Sequence, residues 1–165
     1  MVTGITGTEQ YLTFRLADEV FAVEVGRVRE ILDYTPVTKV PRTPGFMRGV
    51  INVRGSVVPV LDLRLKFGME KTEQSVDTCI IVLEVTFEEE VITLGALADS
   101  VQEVIELEPG LIEPAPRLGG LIRTEFIKGM GKRENAFIMI LDIDKVFSLD
   151  ELEALQGPGT EQAVA

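Results

Sequence analysis

Two aspartates invite a catalytic reading. Asp62 closes the run Val60-Leu61-Asp62-Leu63 and Asp142 closes Ile140-Leu141-Asp142-Ile143, one carboxylate in each half of a 165-residue chain. Two acids contributed by related halves can share a proton and activate water, as in aspartic proteases. Those enzymes carry Asp-Thr-Gly or Asp-Ser-Gly at the catalytic turn, whereas both aspartates here sit between large aliphatic residues. That setting fits a structural aspartate finishing a strand. Residue types remove most other chemistries. The chain has no histidine, and so lacks the commonest general base and the commonest metal ligand. Its one cysteine, Cys79, lies in the apolar run Cys79-Ile80-Ile81-Val82-Leu83 and reads as a buried thiol. Internal disulfides, thiolate or imidazole zinc sites, and Ser–His or Cys–His nucleophiles are excluded together. Glu88-Glu89-Glu90 reads as a solvated turn, and Gly129-Met130-Gly131 is too short to cradle a phosphate. A carboxylate-based hydrolase is the remaining enzyme reading. The expectation is a protein without catalytic residues, cofactor or metal.

The elements that position these residues are mostly strands. Short apolar and β-branched runs recur between turn signals. Tyr11–Leu16 and Val20–Val25 flank the turn Ala17-Asp18-Glu19, and Gly49–Val53 and Ser56–Leu63 turn near Arg54-Gly55. Between these hairpins, Val25, Val28 and Ile31/Leu32 recur at helical spacing, which predicts one to two turns of helix over 26–32. Pro36, Pro41 and Pro44 then impose an extended loop. The second half repeats the order, with strands over 79–85 and 91–98, a short helix over 99–105, a proline-rich loop from Glu108 to Leu121 and a last hairpin.

The repeat is numerical. Phe46, Arg48, Gly49, Leu61, Asp62 and Phe67 match Phe126, Lys128, Gly129, Leu141, Asp142 and Phe147 at a constant offset of 80, and Val28-Arg29-Glu30-Ile31 matches Val101-Gln102-Glu103-Val104 at 73. Two units of about 70 residues follow, each able to close five short strands into a small barrel. The expected fold is mainly β: two similar five-stranded SH3-like β-barrel subdomains with short helices and a C-terminal helix. A single domain over 9–156 is expected, with subdomains near 9–75 and 76–147, the chain free to cross between them, and tails at 1–8 and 157–165. The final helix is predicted from the capping box Ser148-Leu149-Asp150-Glu151 and stopped by Gly157-Pro158.

A formal net charge of -11 argues against nucleic acid as a partner. The charge is uneven: residues 1–75 hold 10 Lys+Arg against 9 Asp+Glu, and the rest hold 6 against 18. The imbalance reads either as plain solubility or as a near-neutral first half that offers more surface to partners, and charge alone does not choose between them. The start of the chain lacks the basic and apolar regions of a signal peptide, no apolar stretch approaches about 18 residues, and a lone thiol suits a reducing compartment. The cytoplasm is the expected location.

At Gly49-Val50-Ile51-Asn52-Val53-Arg54-Gly55 and Val58-Pro59-Val60-Leu61-Asp62-Leu63-Arg64 the sequence resembles the CheW family of bacterial chemotaxis coupling proteins. Val28-Arg29-Glu30-Ile31, Val40-Pro41-Arg42-Thr43-Pro44, Pro114-Ala115-Pro116 and Thr124–Gly129 agree in order, so the resemblance spans about 9–156. The same fold occurs in the regulatory domain of the kinase CheA and in the front half of CheV. The resemblance implies a scaffold that couples methyl-accepting chemoreceptor tips to the regulatory domain of CheA, recruited to membrane-bound receptor arrays. A paralogous adaptor for a pilus-motility or other chemosensory-like kinase is the alternative. The resemblance further implies receptor contact by Val28, Glu30, Ile31, Gly49 and Arg54. It implies kinase contact by Val37, Thr38, Lys39 and Arg48, and a second kinase contact in 113–118 anchored by Leu118, with Glu113 and Arg117 as the charges beside it.

Overall fold

The computed structural model describes residues 9–114, 126–133, 136–147 and 151. Each run of alternating or continuous apolar residues is a strand. The first hairpin is β1 (Glu9–Leu16) and β2 (Glu19–Glu24). A single 3-10 turn, Val25–Arg27, leads into β3 (Val28–Asp33). The next hairpin is β4 (Met47–Val53) and β5 (Ser56–Asp62), followed by the one-turn helix α1 (Leu63–Lys66). The second half supplies β6 (Cys79–Phe87), β7 (Glu90–Ala98), β8 (Ser100–Leu107), the two-residue β9 (Ile112–Glu113), β10 (Ile127–Arg133) and β11 (Ala136–Leu141).

The helices expected over 26–32 and 99–105 are strands, and the reason is local. β3 carries a bulge, with Val28 opposite Leu83 and Glu30 opposite Val82, so three residues face two. The extra residue turns the ordinary strand spacing of two into three. Val28 and Ile31 therefore share a face, as they would on a helix. β8 does the same against β1, with Val101 opposite Phe14 and Val104 opposite Leu12. The capping box at Ser148 and both tails lie outside the described residues, apart from Glu151.

Strand order is β3-β6-β7-β5-β4 in one sheet and β8-β1-β2-β11-β10-β9 in the other. The repeat offsets carry the first order onto the first five strands of the second. Each sheet therefore combines the leading hairpin of one repeat with the later strands of the other, and the halves are interleaved. Details follow the same operator. β4–β5 is bulged between Met47 and Gly49, and β10–β11 between Ile127 and Gly129. The Asp62 amide donates to the Phe46 carbonyl at 2.7 Å, and the Asp142 amide to Phe126 at 2.9 Å.

Each sheet encloses its own apolar cluster, built on Ile51, Val58, Val60, Ile80 and Leu97 in one and on Tyr11, Ala22, Ile105, Leu107, Ile138 and Ile140 in the other. A larger core is shared between them. Phe67 meets Phe126 at 5.9 Å between ring centroids and Phe46 meets Phe147 at 5.6 Å, two contacts that the offset of 80 exchanges. Burying such a ring contributes about 1.5–3 kcal/mol, so the seam is apolar and tight.

Candidate functional site

β3 is an edge strand, and its alternation distributes the expected receptor residues over two faces. Glu30 stands opposite Val82 on the face that turns toward the sheet's own cluster. Its Oε2 accepts from Arg54 Nη1 at 2.9 Å, across a shallow depression lined also by Arg29, Val53, Val58 and Thr93. Arg54 is 80% exposed. It sits at φ 52 before Gly55 at φ 89, the paired left-handed conformation of a tight hairpin turn, pinned by the Gly55 amide on Asn52 Oδ1 at 2.8 Å. A left-handed arginine costs of order 1 kcal/mol, and an exposed ion pair returns about 0–1 kcal/mol, so stability alone does not account for it. On the other face Val28 packs on the shared core, and Ile31 is left 44% exposed.

Gly49 lies apart from these residues. It is buried at φ 144, and a Cβ there would collide with the Thr38 carbonyl oxygen and lie 2.6 Å from Val37 Cγ1. The glycine lets the loop close onto β4: Thr38 and Val50 exchange backbone bonds of 3.0 and 2.8 Å. Val37 is thereby packed on the sheet's inner cluster, while Thr38 and Lys39 remain exposed. Arg48 is turned inward. Its Nη1 donates to Asp62 Oδ2 at 2.9 Å and to the Thr72 carbonyl at 3.2 Å.

Asp62 is 0% exposed and accepts from four donors, the Arg64 amide (3.1 Å) and Thr72 Oγ1 (2.7 Å) on Oδ1, and the Thr72 amide (3.0 Å) and Arg48 on Oδ2. A carboxylate so fully engaged ties strand to loop and has no oxygen left to work on water. Asp142 at the equivalent position is partly exposed, 3.9 Å from Lys145. Glu113 pairs β9 with Met130, and Leu118 and Arg117 lie outside the described residues.

Sequence reasoning missed two contacts across the seam. Arg27 binds Asp144, and Lys66 Nζ binds Glu151 at 2.7 and 2.8 Å while standing 5.2–5.9 Å from the centroids of Phe46, Phe126 and Phe147. Burial acts to raise the Asp144 pKa, but the Arg27 hydrogen bond, the Thr86 amide and the Arg27 charge outweigh it and hold the carboxyl below its usual range. One signal for the first pair was present: the offset of 80 places Asp144 on Arg64, a reversal of charge two residues after the matched Asp62 and Asp142. Among the described residues no helix is long and apolar enough to cross a membrane, and no group of acidic or cysteine side chains could hold a metal ion.

The described residues thus form two interleaved sheets with Asp62 fully engaged and an ion pair on an exposed edge. The CheW-like domain model matches residues 10–151. The chain is 34% identical over 151 residues to the chemotaxis protein CheW of Klebsiella aerogenes, covering 92% of this chain and 89% of that one. It is 32% identical over 148 residues to the probable chemotaxis protein CheW of Rhizobium etli, covering 90% and 93%. The scaffolding protein TtCheW of Thermoanaerobacter tengcongensis superposes with a TM-score of 0.77 at 33% identity, over 87% of this chain and 90% of that one. The chain belongs to the CheW-like family of bacterial chemotaxis scaffolds, which are not enzymes.

Proposed function

We propose that this chain couples chemoreceptors to the histidine kinase CheA by holding both partners at once. The receptor tip, a helical hairpin, lies against the β3 edge, with Ile31 and Val28 supplying apolar contact and Glu30–Arg54 the polar rim. The observation that carries this reading is Arg54, displayed at the tip of a strained turn and tied to the strand that bears the exposed Ile31. Apolar area laid against Ile31 contributes about 25 cal/mol per Å². The CheA regulatory domain meets Val37, Thr38 and Lys39, a rim that Gly49 and the Arg48–Asp62 anchor hold against β4. A second kinase contact falls in 113–118 through Leu118. The scaffold works in the cytoplasm and is drawn to membrane-bound receptor arrays by these contacts alone.

Arg54→Glu tests the receptor half. It reverses the charge at an exposed turn and leaves the core untouched, so the variant should melt as the parent does and fail to join receptor arrays. Unaltered recruitment of a folded Arg54→Glu protein would refute the reading.

A further inference from the structure

β6 runs from Cys79 to Phe87, but β3 covers it only from Cys79 to Leu83. Past Leu83 the same edge of β6 presents the Glu84 carbonyl and the Thr86 amide, which an open edge leaves to water or to another strand. Here side chains take them. Arg27, the last residue of the 3-10 turn, donates from Nη1 to Glu84 O at 3.2 Å, and Asp144 Oδ1 accepts from the Thr86 amide at 2.8 Å. The two are joined in a fork, Nη1 to Oδ1 at 2.7 Å and Nη2 to Oδ2. This ion pair stands where further residues of β3 would run, and Asp144 comes from the segment after β11, which belongs to the other sheet.

Register is what such a cap can control. β3 is a bulged edge strand, and a slip of one residue moves every side chain to the opposite face. In the observed register Val28 and Ile31 share the face on which Val28 meets the shared core and Ile31 is left 44% exposed; one position along, Arg29 and Leu32 would replace them. We infer that Asp144 is a positioning residue for the receptor edge: anchored in the other sheet, it holds Arg27 and so fixes which residues of β3 a partner meets. The inference rests on the reading of β3 as the receptor edge.

The repeat supplies a matched control. Arg64, at the position equivalent to Asp144, lies with Nε and Nη2 at 3.0 and 2.9 Å from Asp99 Oδ2, and Asp99 precedes β8 as Arg27 precedes β3. The charges are exchanged, and Asp99 also accepts from the Ala17 amide at 2.6 Å. β8 covers β1 as far as Arg15, next to its last residue, so this second ion pair has almost no open edge to cap.

The test compares Asp144→Ala with Asp99→Ala by amide hydrogen exchange and by binding to a soluble receptor-tip hairpin and to the CheA regulatory domain. Asp144→Ala is expected to speed exchange across Val28–Asp33 and to weaken receptor-tip binding about tenfold, with kinase binding changed by less than about twofold. Asp144→Glu, which keeps a carboxylate, should recover most of the loss, and Asp99→Ala should leave β3 exchange and receptor binding unchanged. Should Asp144→Ala fail to fold, Asp144→Asn keeps the shape without the charge. Unchanged β3 exchange in the Asp144 variants overturns the inference, as does an equal receptor defect in Asp99→Ala. A parent protein that binds no receptor tip refutes the coupling function instead, while the exchange comparison still decides the register role.

Discussion

Replacing Arg48 by alanine separates a surface contact from a structural anchor. Asp62 is fully buried, and of its four donors only Arg48 is charged. Removing one member of a buried ion pair costs about 3–5 kcal/mol, because the other charge is left uncompensated. Three neutral donors remain on Asp62, and Arg48 is itself about a quarter exposed, which reduces the expected loss to about 2–3 kcal/mol. For a chain of this size that lowers the melting temperature by roughly 5–10 °C. Urea unfolding followed by circular dichroism reads the change as a shift in midpoint at unaltered slope. If Arg48→Ala melts within about 0.5 kcal/mol of the parent and only kinase binding falls, Arg48 is a contact residue and the anchoring argument is wrong.

Gly49→Ala must push its methyl into the Thr38 carbonyl from a backbone conformation that alanine avoids. A loss of about 2–4 kcal/mol in denaturant unfolding is expected, with kinase binding reduced as the 37–39 loop lifts, whereas Gly26→Ala, with nothing within 4 Å, should be nearly silent. The Asp144 carboxyl is held below its usual range in the folded protein, so its contribution is fully present above the unfolded value of about 3.9 and is lost as pH falls through the folded value. The stability gap between the parent and Asp144→Asn should therefore stay constant near neutrality and narrow below about pH 4; a gap that widens on acidification would reverse the assignment.

What the sequence made legible was whatever depends on neighbours along the chain. The hairpins at Ala17-Asp18, Arg54-Gly55 and Glu88-Glu89 are written in their turn residues, and the repeat in the matched Phe, Gly and Leu-Asp positions. β3 and β8 were hidden because a bulge imitates helical spacing, and only the opposing strand reveals the extra residue. The exchange of hairpins between sheets was equally beyond local pattern, since β1 meets β8 across some 90 residues of chain. Of the candidate receptor residues, Glu30 and Arg54 meet and Val28 and Ile31 share a face, while Gly49 serves the 37–39 loop. Arg48 looked like a surface cation because nothing nearby in sequence announces that Asp62 is buried beside it. Arg27–Asp144 joins residues 117 apart, and the sequence hints at it only through the change from Arg64 to Asp144 at equivalent repeat positions.

The coupling claim stands or falls on whether the two docking edges are independent. Sedimentation of the purified chain with the CheA regulatory domain and a soluble receptor tip, singly and together, measures this directly. A ternary complex whose receptor component alone is lost with Arg54→Glu is the predicted result. Displacement of one partner by the other, or binding of neither, would contradict the account.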